Sequence, residues 1–333
     1  MKIKIALILT VLLLISCKQE ANKVEGQGLK NTKLEGSIFG TFYQVTYDSE
    51  VNYEKQFDSL FFVINKSMST YQADSDISKL NRNESNEVDK HFIKVFEASK
   101  IIYEETEGAF DPTIGALVNA WDFGPEGKIV NLDSLKIDAL MESVGFNKVS
   151  VVENKVTKQP NTFLDFNAIA KGYAVDAVAD FLSSKNVQNF LVNIGGELNA
   201  KGINIEKQSG WTVGVENPNF DGTQSWDKVF VLKDAAMATS GTYRKFKIDE
   251  NGNRYAHIID TKTGYPSKTN LLSISVIAED CMTADAYATA FKAMGIEKVK
   301  VFLKSHPELK VFLIFENENK EFETLALNDF PEN

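Results

Sequence analysis

Between Leu164 and Asp176 the chain places a carboxylate, Asp165, and a lysine, Lys171, on either side of the stretch Phe166-Asn167-Ala168-Ile169-Ala170. Thr162 to Phe166 are mostly β-branched, aromatic or aliphatic and predict a strand, while the Ala/Val-rich residues after Asn167 predict a helix. The free N–H groups of that helix's first turn favour an anion, and Lys171 would add a point charge beside it. This is a way to hold a phosphate. The ordinary alternative is a strand and a helix with Asn167 as N-cap and a solvated lysine.

A second pair lies far along the chain. Asp285 and Thr289 are spaced i, i+4 on a predicted helix running from Cys281 to Met294, so their oxygens share one face. A carboxylate and a hydroxyl on one face suit a hard cation such as Mg²⁺, which takes one or two carboxylates and fills its remaining positions with phosphate and water. Helix capping or edge packing is the alternative use of such a pair. Asp111 follows Gly108-Ala109-Phe110 and precedes Pro112, an N-cap and N1 pattern that predicts a third helix through Trp121. Gly195-Gly196 permits a tight turn or a close backbone approach. Of the histidines, His91 and His306 read as surface residues. His257, in Tyr255-Ala256-His257-Ile258-Ile259-Asp260, sits on an expected strand entering a polar turn, where it can take a proton or hydrogen-bond a ligand. No Ser/His/Asp triad, cysteine metal site, Walker loop or GxGxxG occurs.

Positioning these groups needs a scaffold, and the hydrophobic periodicity outlines one. Phe42 to Tyr47 alternates as a strand; Phe57, Leu60, Phe61, Ile64 and Met68 recur at helical spacing; Phe92, Val95, Phe96, Ser99 and Ile102 continue a second helix that Gly108 can end. Residues 149 to 157 predict a hairpin turning at Glu153-Asn154. Further strands are expected at 190–194, 211–215, 228–232, 256–259, 271–277, 311–315 and 321–327, and the Cys281 to Met294 helix is closed by Gly295 and followed by a short one. Strands grouped in this way indicate α+β with a mainly antiparallel sheet, not a regular βαβ alternation.

The ends and the composition bound the setting. Lys2 and Lys4 precede an apolar run from Ile5 to Ile15 and then Leu14-Ile15-Ser16-Cys17, which resembles the signal and lipobox of bacterial lipoproteins. The expectation is a signal peptide over 1–16, lipidated Cys17 and a polar, flexible tether through residue 33, with one large folded domain over 34–329. The only other cysteine is Cys281, so no disulfide is available to the mature chain. A net charge of -10 argues against a nucleic-acid partner. It still allows a phosphate ligand if a metal ion and local cations offset the acidic background.

Taken together, Phe39-Gly40-Thr41-Phe42-Tyr43, Met68-Ser69-Thr70-Tyr71 with Asp74-Ser75-Asp76-Ile77-Ser78, Phe110-Asp111-Pro112-Thr113, the run at 164–176, Asn193-Ile194-Gly195-Gly196, Ala238-Thr239-Ser240-Gly241, His257-Ile258-Ile259-Asp260 with Thr263-Gly264-Tyr265-Pro266, and Thr283-Ala284-Asp285 with Thr289 resemble the ApbE family. Members are lipoprotein or periplasmic FAD:protein FMN transferases, and the ordered match covers nearly the whole chain from about residue 34. The resemblance implies that Phe39, Gly40, Thr41, Tyr71, Ala109, Phe110, Asp111, Asp165, Lys171, His257 and Ile258 surround FAD. It implies Mg²⁺ on the Ala168 carbonyl, Asp285 and Thr289, so that Asp285 and His257 stand at the chemistry, His257 orienting or deprotonating the incoming hydroxyl with an Asp as the competing base. The family often has Met where this chain has Phe39, and Asp-Pro where it has Asp260-Thr261.

The implied reaction is Mg²⁺-dependent transfer of FMN from FAD to a Thr or Ser of an exported or membrane protein with release of AMP. Acceptors of the kind expected are subunits of Na⁺-translocating NADH:quinone reductase and related electron-transfer complexes, and the expected place is the bacterial cell envelope, lipid-anchored and facing the periplasm. Competing readings are a Mg²⁺-dependent FAD pyrophosphatase, a non-catalytic FAD-binding lipoprotein and, more remotely, a solute-binding protein.

Overall fold

A computed structural model of the chain describes residues 30–242, 246–248 and 254–332. The signal segment 1–16, Cys17 and tether residues 18–29 lie outside the described residues. In chain order the elements are strands β1 (Thr32–Ile38) and β2 (Thr41–Tyr47), then helices α1 (Glu54–Met68), α2 (Asp76–Asn81), α3 (Lys90–Glu105), α4 (Gly115–Ala120) and α5 (Ser134–Met141). A single turn of 3-10 helix (Phe146–Lys148) leads into the hairpin β3 (Ser150–Val152) and β4 (Lys155–Thr157), then helix α6 (Ala170–Ser184). Strands β5 (Phe190–Ile194), β6 (Glu197–Lys201), β7 (Trp211–Glu216), β8 (Trp226–Leu232), β9 (Ala235–Gly241), β10 (Phe246–Ile248), β11 (Arg254–Ala256) and β12 (Leu271–Ala278) follow. Helices α7 (Cys281–Met294) and α8 (Ile296–Phe302) and strands β13 (Lys310–Glu316) and β14 (Phe322–Leu327) complete the described elements.

Eight strands form one sheet in the order β1-β2-β5-β6-β9-β12-β13-β14, every pairing antiparallel, so spatial order follows chain order. This is the α+β architecture that the grouped strands predicted. Side chains alternate across the sheet with period two. Ala236, Ala238, Ile274 and Leu313 enter the main core beneath the helices, whereas Met237, Ile277, Phe312 and Ile314 enter a second core under the β7–β8 hairpin. The main core holds Phe57, Phe92, Phe166 and Phe291, each fully buried and each stabilising the fold by about 1.5–3 kcal/mol.

Helix α7 is defined at both ends by its own sequence. The Asp280 carboxylate accepts from Thr283 N at 2.8 Å, and Gly295, at φ 78°, ends the helix in the left-handed region that glycine tolerates. Two more first-turn N–H groups, of Cys281 and Met282, donate to the Asp176 carboxylate of α6 at 2.9 and 2.8 Å. The two helices meet closely at Gly172, where a Cβ would lie 2.3 Å from the Cys281 carbonyl oxygen.

Several expectations need correcting. Thr162 to Phe166 is not a strand: only Phe163 forms a bridge, to Ile114, while both backbone groups of Leu164 are met by the Asn81 amide at 2.8 Å and Asp165 N by Pro112 O at 2.8 Å. A side chain has taken the place of the neighbouring strand. The following helix starts at Ala170, not near Asn167. Asp111 caps no helix; it accepts from Thr113 N and Oγ1 in a turn, and α4 begins only at Gly115. The strand expected over 256–259 ends at Ala256, leaving His257 in a bend. The fold begins before Leu34, because Asn31 is buried and hydrogen-bonded to Glu206 and Asn204, and β1 starts at Thr32. His91 and His306 are both half-buried, His91 bonded to the Tyr173 hydroxyl at 2.6 Å and His306 stacked on Phe302.

Candidate active site

One cleft of about 1450 Å³ gathers Phe39, Gly40, Tyr71, Ala109, Phe110, Asp111, Asp165, Ala168, Lys171, His257, Ile258, Asp285 and Thr289. They come from the β1–β2 turn, the loop after α1, the loop between α3 and α4, the segment leading into α6 and that helix's first turn, the segment after β11, and α7. Thr41 is the exception. It opens β2 and fills the space beside Gly195, so it supports the β5–β6 turn and does not line the cleft.

At the Phe39 corner both turn residues are left-handed, Phe39 at φ 52° and Gly40 at φ 72°, the geometry that joins two right-twisted strands with a two-residue loop. For a phenylalanine this costs about 1–2 kcal/mol, offset where its ring packs edge-on against Phe61 at 5.7 Å between centroids. Tyr71 stands largely exposed on the cleft rim, its hydroxyl pKa raised by partial loss of water around the phenol and by the Asp165 charge. Asp165 accepts from Asn167 N at 2.7 Å, which tightens the turn that presents Ala168. Burial raises the Asp111 carboxyl pKa, against the Thr113 hydrogen bonds that lower it.

The charged end of the cleft is built by α6 and α7 together. Asp285 is buried, and its carboxylate accepts from Gly172 N, in the first turn of α6, at 3.0 Å. Burial pushes its pKa up to about 7; Lys171 opposes that rise and Glu197 adds to it. Thr289, one turn along, is 3.1 Å from the Ser240 hydroxyl of β9. Lys171, expected to meet a phosphate, forms an ion pair with Glu197 at the start of β6. Burial alone would lower its pKa, but Glu197 and Asp285 more than compensate and hold it above the usual lysine value.

Sequence alone singles out neither Glu197 nor the contact of Ser240 with Thr289. A lone glutamate at a strand start reads as a solvated residue, and the one available signal was its place directly after Gly195-Gly196. At the other end, His257 lies 6.2 Å from the Phe123 ring, and its segment is held by Ser267 N to Ile258 O and Asp260 N to Tyr265 O, both 2.8 Å. Thr261 and Lys262 bond the carbonyls of Gly108 and Glu107, tying this segment to the Ala109–Asp111 loop.

A cleft with hard oxygen donors at one end and aromatic rings along its rim matches the ordered resemblance, and comparison with known proteins decides the family. The ApbE family matches residues 39–313. This chain belongs to the ApbE family. An FAD:protein FMN transferase of Vibrio cholerae is 33% identical, the alignment covering 96% of each chain, and one of Haemophilus influenzae is 36% identical over 92% of this chain and 90% of its own. Among solved ApbE structures, the flavin transferase from Vibrio cholerae superposes with a TM-score of 0.80 at 32% identity, covering 89% of this chain and 97% of that one. The flavinyl transferase of Pseudomonas stutzeri in its apo form gives 0.79 at 30% identity, covering 89% and 94%.

Proposed function

We propose that this chain, an enzyme of the FAD:protein FMN transferase type, moves FMN from FAD to a threonine or serine hydroxyl of an exported or membrane protein, requires Mg²⁺ and releases AMP. The observation that carries the reading is the convergence, in one cleft, of every expected flavin and metal residue but Thr41. Two buried carboxylates, Asp285 and Glu197, face a single lysine there, an acidic corner that favours a cation. Among the described residues no group of three or more His, Cys, Asp or Glu could hold a metal. The donors on offer, the Ala168 carbonyl, the Asp285 carboxylate and the Thr289 hydroxyl, are a set that Mg²⁺ accepts when phosphate and water complete its shell.

Bound Mg²⁺ would supply charge neutralisation at the pyrophosphate oxygens. Lys171 and the N-terminus of α6 hold the same oxygens, which fixes the flavin-side phosphorus for attack. Phe39 and Tyr71 offer ring faces to the isoalloxazine. The acceptor hydroxyl oxygen bonds to that phosphorus as the bond to AMP breaks, and His257 orients the hydroxyl or takes its proton. The acceptors that fit are exported or membrane electron-transfer subunits such as those of Na⁺-translocating NADH:quinone reductase. The basic and apolar N-terminal run ending at Cys17 supports a lipid anchor in the bacterial envelope with the domain facing the periplasm.

The test is incubation with FAD, Mg²⁺ and a candidate acceptor subunit, followed by in-gel flavin fluorescence and quantification of AMP and free FMN. Covalently fluorescent acceptor with equimolar AMP is the expected result. AMP with free FMN and no labelled acceptor would replace the transferase by a pyrophosphatase, and no AMP would leave a flavin carrier.

A further inference from the structure

The mechanism above leaves Glu197 unused, yet it is among the least expected groups in the cleft. It is 3% exposed, one carboxylate oxygen pairs with Lys171, and the other, Oε2, is buried with no hydrogen-bond partner. A buried carboxylate oxygen without a donor is costly. Asp285, 5% exposed, takes its hydrogen bond from Gly172, the residue next to Lys171. The ammonium is therefore paired with Glu197, while the charge of Asp285 also acts on it.

We propose that Glu197 is a positioning residue: by engaging the Lys171 ammonium it keeps that ammonium off Asp285 and leaves the Asp285 carboxylate open to a divalent cation. The register explains how. Glu197 pairs with Ile194 directly after the Gly195-Gly196 turn, and Ile194 faces the helices, so Glu197 projects from the sheet toward the start of α6. An ammonium has three donors; with one committed to Glu197, the other two are left for ligand oxygens in the cleft that Lys171 lines. Without Glu197, Lys171 has Asp285 as its nearest buried counter-charge, and the two would close the cation site.

The inference rests on the Mg²⁺-dependent reading, and its test is a titration of Mg²⁺ against thermal midpoint, in saturating FAD so that its phosphates complete the cation's shell, for wild type, Glu197→Gln, Lys171→Met and the double variant. Glu197→Gln is expected to weaken Mg²⁺ about tenfold, the size of effect typical of groups that orient metal ligands. In the Lys171→Met background the same substitution is expected to change affinity by less than about threefold, because no ammonium remains to capture Asp285. A Glu197→Gln protein that binds Mg²⁺ as wild type does overturns the proposal. So does a tenfold loss persisting without Lys171, which would put Glu197 on the cation directly. A wild-type protein indifferent to Mg²⁺ overturns the metal reading itself and this proposal with it, whereas failure in the variants alone leaves that reading standing.

Discussion

The two ends of the cleft are made in different ways. Asp285 and Thr289 ride on α7, a 14-residue helix capped at both termini and sunk in the main core. His257 and Ile258 ride on a bend after the three-residue strand β11, held by turn hydrogen bonds and by side-chain bonds from Thr261 and Lys262 to the Glu107–Gly108 carbonyls. A helix packed on every side resists rearrangement, while a segment held by a few local bonds can adjust. On the proposed reading, the charged end is the preformed one that would take the pyrophosphate and a cation, and the His257 end is the one that would adjust to an incoming protein.

The sharpest test of this contrast is Asp285→Ala. Flavin transfer should fall by about three orders of magnitude or more, as expected for loss of a group that sets transition-state charge, and Mg²⁺ should no longer raise the thermal midpoint. Retained activity would break the assignment of the charged end. His257→Ala should lower kcat by about 10²-fold, within the range for a lost general base, while the Mg²⁺-dependent rise in midpoint stays at its wild-type value; a changed Mg²⁺ response would mean that the two ends are not independent.

Gly172→Ala probes the rigidity of the charged end. Its Cβ would meet the Cys281 carbonyl at 2.3 Å, so α6 and α7 must separate, at a cost of about 1–3 kcal/mol, read as a lowered midpoint in urea unfolding together with weaker Mg²⁺ binding. If stability drops and Mg²⁺ binding does not, the close helix contact serves the fold alone.

The smallest effect is on pH dependence. Burial raises the Asp285 pKa to about 7 and that of Asp176 to about 6, both above the ordinary aspartate value. The folded state therefore binds these protons more tightly than the unfolded chain. Their contribution to stability is full below about pH 4 and is lost as pH rises through about 6 for Asp176 and about 7 for Asp285. If Mg²⁺ binds Asp285 as proposed, it competes there with the proton, so the Mg²⁺-induced rise in midpoint should be larger at pH 8 than at pH 5.5. Equal rises at both values would place the cation elsewhere.

The contrast between the two ends also governs what could be read from the sequence. Helix α7 was legible in its bounds, Cys281 to Met294, and in the glycine that closes it; the Asp280 cap that starts it was seen only in the structure. Local chemistry settled it. The segment 162–166 has a real β-rich composition, but the partner of Leu164 is the Asn81 side chain, 83 residues earlier, and not a neighbouring strand. The same holds for Asp111, whose Asp-Pro pattern fits a helix start, while Thr113 and the Pro112 bond to Asp165 hold it in a turn.

By itself the sequence determined the elements with strong periodicity, the antiparallel α+β class, and, through ordered resemblance, the residues gathered in the cleft. Only the tertiary structure decided who neutralises whom inside it. Lys171 was legible as a cation, but its counter-ion Glu197, 26 residues on, is brought to it only when the β5–β6 hairpin packs against α6. Charge pairing in a buried site depends on distance and desolvation, and neither quantity exists until the chain has folded.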